Sequence, residues 1–428
     1  TIYMSFYTIY HIIKDRKIGP EQLIPAVFDY VFLGTGNVSV VSKESGIAVD
    51  TLDKMKDEFN YWYPFDFRNT GKDLIQNHMT FCLFNHVAIF PEKHWPAGFG
   101  LNGHVKMDGD KMSKSKGNFV TLIDAVEKMG ADASRLTVLA GGEGVDDSNF
   151  DSDLVRSVPY KLENMLEVYP KLYGKGRDNI ISIDKWFVQK IDERVRLSTS
   201  MMEDACFGSA IQTVMFDMTK DLKWYLYRSG DSANKDIVSR FIEVQVKMLS
   251  VFVPHFAEEV WEKLGMSGFV SVAKWPSAGR GKIDKDIDLM EDLIRQSVED
   301  VRNIKSLVGI DKPKIISVFI SPEWKYKALA KAMKYKDRSH EIVKILMADK
   351  DISVNGKQAL NYAIALSKKV SQMNVGLSSI SEYKAMIDAK EFLEKEFGCT
   401  VEVVKVDKDI KSQRALKAEP SKPGIEIE

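Results

Sequence analysis

No run of apolar residues in this chain reaches the length of a membrane span; the most hydrophobic stretch, Phe81 to Phe90, is broken by Asn85-His86. A secretory signal pattern is missing too. Cysteine is scarce, and Cys82, Cys206 and Cys399 lie far apart with no metal-ligand spacing. That argues against a structural zinc and for a reducing compartment, with the cytoplasm as the natural home. Excess charge is also lacking, since 60 lysines and arginines face 61 aspartates and glutamates. A nucleic-acid partner would have to be held by a local patch rather than by bulk basicity. What is plentiful is core material: 44% of the 428 residues are apolar and 10% aromatic, enough for two or three cores in a multidomain protein.

One stretch stands apart, Gly109-Asp110-Lys111-Met112-Ser113-Lys114-Ser115-Lys116-Gly117-Asn118. Lys111, Lys114 and Lys116 are charged donors on flexible stems, and the flanking glycines free the backbone to swing them as one unit over a polyphosphate. Thr121 reads as an N-cap with Asp124 in the first turn of a helix bearing Leu122, Ala125, Val126 and Met129. The loop therefore feeds a helix N-terminus, where free amides favour anions. Upstream, Leu101, Gly103, Val105 and Met107 alternate with polar residues as one strand, and Asp108-Gly109 signals a type I′ turn. A solvated lysine-rich loop is the alternative account. A Walker A loop is not written here.

Lys111-Met112-Ser113-Lys114-Ser115, followed by Lys116-Gly117-Asn118, resembles the second signature motif of class I aminoacyl-tRNA synthetases. Thr1-Ile2-Tyr3-Met4, Gly71 to His78 and Asn85 to Pro91, with the Asn102-Gly103-His104 lead-in, resemble leucyl-tRNA synthetases of the archaeal and eukaryotic cytosolic type. The family usually has Pro where Gln76 stands. The first signature of that class, His-x-Gly-His, does not occur, so the resemblance covers the C-terminal half of such an enzyme and the chain is expected to begin mid-domain.

Three domains are expected. Residues 1–150 would form a Rossmann-like α/β half carrying the signature loop, 151–310 a helical tRNA-binding bundle, and 311–428 a small α/β tRNA-binding domain. In the first, residues 1–13 read as ordinary core, Val49 to Trp62 as a helix, and Phe65 to Gly71 as a short strand. A helix from Leu74 carries Leu74, His78, Phe81, Cys82 and Ile89 on one face. Gly71 and Asp73 thus sit at a strand end and helix start, where open α/β sheets bind nucleotides. Asp132 reads as the cap of a second helix, and Asp146 to Asp151 as an acidic, turn-rich joint. Beyond Pro313, Ile315 to Ile320 and Val401 to Val404 are strands. Lys325, Lys327, Lys331, Lys334, Lys336 and Arg338, interleaved with Trp324, Tyr326 and Tyr335, suit either an RNA backbone and its bases or a solvated helix face.

The resemblance implies a leucine–tRNA ligase using ATP and Mg²⁺, with leucine and leucine tRNA as partners and a separate N-terminal-half polypeptide as a further candidate. It assigns Lys111 and Lys114 to catalysis, and Gly71, Asp73, Lys111, Met112, Ser113, Lys114 and Ser115 to ATP. It assigns His78 to the amino-acid pocket, although its spacing fits a core histidine equally well, and Ile427 and Glu428 to tRNA. A plain N-cap role for Asp73 is compatible with its assignment. No metal ligands are expected. The alternative is a non-catalytic tRNA-binding module.

Overall fold

In the computed structural model, which describes residues 3–230, 232–279, 283–373, 376–406 and 412–428, the aromatic opening segment is a helix, α1 (Tyr3–Asp15). Ile9, Ile12 and Ile13 recur at helical spacing and are buried, while Tyr3, Tyr7 and Tyr10 are exposed. Only part of the segment is core. α2 (Val49–Trp62) has the expected bounds and buries Leu52, Met55 and Phe59. Phe59 is the hub, with its ring 4.9 Å from Phe32, 4.6 Å from Tyr63 and 5.7 Å from Phe90. Burying one such side chain contributes roughly 2 kcal/mol.

β1 (Arg68–Gly71) ends where expected, and the chain then passes through short 3₁₀ and π segments into α3 (Thr80–Ile89). The buried face here differs from the expected one. Met79, Cys82, His86 and Phe90 are covered, whereas Phe81 and Ile89 are exposed. The π segment at Ile75–Met79 inserts an extra residue per turn and rotates everything after it.

The expected single strand from Leu101 to Met107 is two strands in different sheets. β2 (Phe99–Asn102) pairs in parallel with β1, whereas β3 (Val105–Met107) pairs antiparallel with β4 (Asp110–Lys111) and parallel with β5 (Ser148–Phe150). Gly103 marks the break: a Cβ there would lie 2.2 Å from the Asp146 carbonyl oxygen, so only glycine permits that approach. The acidic joint likewise contains β5. α4 (Leu122–Met129) and α5 (Ala131–Ala140) meet at Gly130 (φ 86°). Asp132 does not cap α5, because Gly130 is the residue at that position.

The longer helices that follow are α6 (Ser152–Leu172), α7 (Ser182–Glu203), α8 (Met218–Ser229), α9 (Lys235–Leu249) and α10 (Pro254–Lys263). A 3₁₀ turn at Val270–Val272 precedes α11 (Lys285–Val308). After it come β6 (Ile315–Ile320), α12 (Glu323–Lys334), α13 (Gly356–Lys369), α14 (Ser379–Asp388), α15 (Lys390–Phe397), β7 (Thr400–Lys405), α16 (Gln413–Lys417) and β8 (Gly424–Ile427). β6 is the central strand, parallel to β7 and antiparallel to β8. No helix among the described residues is long and apolar enough to cross a membrane.

The described residues group into two compact units. The first draws on Thr1–Glu167, Leu197–Met215 and Lys247–Ala273, the second on Val168–Arg196, Phe216–Val246 and Lys274–Glu428. In the second, Phe187 stacks on Tyr225 with ring centroids 4.2 Å apart and on Phe241 at 5.1 Å. Beside this stack the buried Asp184 carboxylate accepts from both Arg177 guanidinium nitrogens (2.7 and 2.6 Å), from the Tyr225 hydroxyl (2.6 Å) and from the Ile181 N–H (2.7 Å). With four donors this buried charge is compensated; losing Arg177 would cost about 3 to 5 kcal/mol.

Candidate nucleotide site

The lysine-rich stretch is built on a hairpin. Lys106 of β3 faces Lys111 of β4, and Met107 faces Asp110. Asp108 (φ 48°) and Gly109 (φ 86°) are both left-handed, as the type I′ turn demands. The Asp108 carboxylate accepts from the Ser152 N–H (2.8 Å) and hydroxyl (2.7 Å), which anchors the turn and holds Asp108 below the usual carboxylate range. Gly109 N–H donates to Asn149 Oδ1 at 2.7 Å.

Past β4 a 3₁₀ turn covers Lys114–Lys116, and Gly117 (φ 74°) closes it with its N–H 3.3 Å from the Lys114 carbonyl. Asn118 pins the loop, since its Nδ2 donates to the Lys111 carbonyl (3.2 Å) and its Oδ1 accepts the Ser113 N–H (2.9 Å). The Ser113 and Ser115 hydroxyls are 2.8 Å apart, and Met112 is half-buried. Lys111 and Lys114 are exposed, and neither forms an ion pair among the described residues. Lys114 Nζ lies 5.4 Å from the Phe119 ring centroid; the Lys116 side chain lies outside the described residues. Downstream, the Thr121 hydroxyl accepts the Asp124 N–H at 3.1 Å and so caps α4 as expected. Its donation to Asp124 (2.5 Å) is the main reason that this carboxyl lies below its ordinary range.

Gly71 closes β1 opposite Asn102, the last residue of the parallel strand β2. The carboxyl ends of parallel strands are where open α/β sheets hold nucleotides. Asp73 is exposed and folds back so far that a Cβ on Gly71 would lie 2.5 Å from its Oδ1. Its carboxylate remains turned toward that strand end. Asn69 Nδ2 donates to Asn102 Oδ1 at 3.2 Å, tying the two strands side by side.

The residue that links this strand end to the hairpin is Asp147, within the acidic joint of residues 146–151. Lys72 Nζ (2.6 Å), the His104 N–H (3.0 Å) and Lys106 Nζ (3.3 Å) converge on its carboxylate. These contacts, led by Lys72, hold the Asp147 pKa well below the usual range. Lys72 adjoins both Gly71 and Asp73, while Lys106 is the cross-strand neighbour of Lys111. Nothing local distinguishes Asp147 from Asp146 or Asp151; only the return of β5 alongside β3 does.

His78 is half-buried, with its Nε2 2.6 Å from Arg68 Nη2. A guanidinium only donates, so Nε2 carries the lone pair. Arg68, unnoticed in the sequence, also reaches the Met4 sulfur at 3.1 Å. His86 is a core histidine of this region: it is buried, 3.1 Å from the Tyr63 hydroxyl and 2.7 Å from the Cys82 carbonyl. His255 has an exposed ring, and its backbone N–H donates to Asp132 at 3.3 Å.

In the second unit Ile427 lies in β8 opposite Ile316, and Glu428 is bonded through its N–H to Ile315 (3.0 Å) and through its carbonyl to Lys314 (2.6 Å). The lysine-aromatic mixture near α12 is not one patch. Lys325 is buried, donating to the carbonyls of Leu416 (3.0 Å) and Ala418 (2.6 Å), and burial lowers its pKa. Tyr326 is buried too and donates to Glu382 at 2.6 Å. Lys327 pairs with Asp351 and Lys331 with Asp349. Lys334, Lys336 and Arg338 remain exposed.

Two family models match the chain: tRNA synthetases class I (I, L, M and V) at residues 42–151, and the anticodon-binding domain of tRNA ligase at residues 184–320. Leucine–tRNA ligase of Aeropyrum pernix is 38% identical over 435 residues, covering 100% of this chain and 45% of that protein. The enzymes named leucine–tRNA ligase in Pyrococcus horikoshii and Methanocaldococcus jannaschii are 36% and 35% identical over 441 residues, with the same coverage. The chain therefore spans about half the length of the curated relatives it matches. Among solved structures, a LeuRS–tRNA–LeuAMS ternary complex from Agrobacterium radiobacter K84 matches 59% of this chain and 32% of its own, at 18% identity and a TM-score of 0.45.

Proposed function

This chain is a relative of the leucine–tRNA ligases along its whole length, and on that footing we propose that it carries the pyrophosphate-clamping part of an enzyme that activates leucine with ATP and loads it onto leucine tRNA. One observation carries the reading: Lys111 and Lys114 present two exposed ammonium groups, with no ion pair among the described residues, on a hairpin and turn that Asn118 pins. A solvated lysine loop has no need of that brace.

In the proposed reaction the leucine carboxylate attacks the α-phosphate of ATP and pyrophosphate departs; the leucyl group then passes to the terminal ribose of the tRNA. Negative charge builds on the leaving phosphates, and cations that meet it only in the transition state accelerate the step. Lys111 and Lys114 take that role. Backbone groups of Met112 and the hydroxyls of Ser113 and Ser115 border the same phosphates. Gly71 leaves the strand end open to the ribose, and the exposed Asp73 carboxylate accepts from its hydroxyls. His78, its Nε2 engaged by Arg68, lines the amino-acid pocket. Ile427 and Glu428 contact the tRNA.

Mg²⁺ would share the phosphate charge when bound. Among the described residues no group of three or more His, Cys, Asp or Glu is arranged to hold a metal ion. The partition into a Rossmann-like half (1–150), a bundle (151–310) and a C-terminal domain (311–428) belongs to the same proposal, as does a cytoplasmic setting; the two family-model spans support its first boundary.

The test is leucine-dependent exchange of pyrophosphate into ATP. It should require this chain together with a polypeptide carrying the remaining length of a relative, because alone the lysines face water, where their attraction is weak. Exchange by this chain alone would refute the half-site reading. Tight tRNA binding by a mixture that never exchanges would favour the binding module instead.

A further inference from the structure

In the second unit a cavity of about 680 Å³ opens between α8 and α11, lined by five cationic side chains and two carboxylates. Its floor is a layered pair: the Arg295 guanidinium lies 4.7 Å from the Trp224 ring centroid. Trp224 is fixed from behind, its indole N–H donating to Glu291 at 2.8 Å, and Glu291 is held in turn by Arg228 at 2.7 Å. The platform is therefore rigid. Among the described residues Arg295 has one ion pair, a long contact to Asp292 at 3.4 Å, and its side chain is 39% exposed.

The walls carry charge of a different kind. Lys223 is exposed on α8 and has no ion pair among the described residues. Arg302 leans toward the Tyr227 ring at 6.0 Å and donates to its hydroxyl at 2.9 Å, while a second partner, Glu396, lies outside the lining. Both carboxylates of the lining, Asp217 and Asp221, are engaged by Arg194. A flat cationic platform beside ammonium groups matches a planar base joined to a phosphate. An acidic peptide would use the charges but not the stacked plane.

We propose that this cavity is a nucleotide-binding site separate from the lysine hairpin, in which a base stacks on Arg295 over Trp224 and its phosphate meets Lys223 and Arg302. The nucleotide is either an unstacked residue of an RNA, in which case the site rests on the tRNA reading above, or a free nucleotide, in which case it does not.

Arg295→Ala and Lys223→Ala are half-buried and exposed positions respectively, and their circular dichroism and unfolding midpoints should match the parent chain. Binding of the full chain is measured with a leucine tRNA transcript, with ATP and with AMP. If the nucleotide belongs to RNA, Arg295→Ala should weaken transcript binding about tenfold. Lys223→Ala should lower the slope of log affinity against log salt by about one. Loss confined to ATP or AMP would support the site with a free nucleotide as its source. Tight transcript binding unaffected by either variant, with no change for ATP or AMP, would overturn the site and leave the tRNA reading standing. Displacement of all three probes by polyglutamate at equal charge would overturn it too, as a general anion patch. If the parent chain binds none of the probes, the site and the tRNA reading fall together.

Discussion

Asp132 Oδ2 accepts the backbone N–H of Phe256 at 2.7 Å across 124 residues of chain, and its Oδ1 accepts that of His255 at 3.3 Å. The carboxylate thereby caps α10, whose first residue, Pro254, has no N–H to offer. Asp132→Ala should lower the unfolding free energy by about 1 kcal/mol, and Asp132→Asn by less, in urea titrations. Equal midpoints for parent and Ala variant would mean that water replaces the cap without cost.

Lys114→Ala in the complete enzyme should slow leucine-dependent pyrophosphate exchange about a hundredfold, the usual loss when one preorganised donor is removed. Affinity for tRNA should barely change. Comparable losses in both measurements would place Lys114 in RNA contact instead of the clamp.

Asp147→Asn should loosen the hairpin, because the carboxylate holds Lys72 and Lys106 together. Limited trypsin digestion should cut at Lys111 or Lys114 faster than in the parent. The depressed pKa also sets a sign. Asp147 contributes stability above the unfolded value of 3.8, and that contribution is lost as pH falls from there through the lower folded value. The variant should lack this share of the acid loss while being less ordered at neutral pH.

His86 is buried and its pKa lies below the ordinary 6.5, chiefly through desolvation. Below pH 6.5 the unfolded chain takes up a proton that the folded ring refuses, so stability declines as pH drops. Thermal midpoints of the first unit should fall between pH 7 and 5.5. In His86→Gln the starting midpoint should be lower and the slope shallower, with His94, lowered for the same reason, supplying the remainder.

Deleting Ile427 and Glu428 would remove the bonds between Glu428 and the strand start at Lys314 and Ile315, so the deletion should lower the unfolding midpoint whether or not tRNA is touched. The substitution pair Ile427→Ala and Glu428→Ala keeps that backbone. If these side chains contact tRNA, the pair should weaken charging of leucine tRNA and spare pyrophosphate exchange. Normal charging would leave them a purely structural role.

Features whose cause is local were legible in the residues alone. The Asp108-Gly109 turn, the Thr121 cap, the bounds of α2 and the strand β6 depend on residues within a few positions, where backbone preference and periodicity act directly. The glycine-flanked lysines were legible for the same reason. Tertiary structure decided the rest. Asp147 became the brace of the hairpin only when β5 returned beside β3, and Asp132 a cap only when α10 arrived. Lys325 left the expected RNA patch because the carbonyls at Leu416 and Ala418 offered a buried ammonium the acceptors it needs. In each case the partner lies more than forty positions away. The side chain's identity permits several roles, and the free energy of burial or pairing, which depends on what the fold brings alongside, selects one of them.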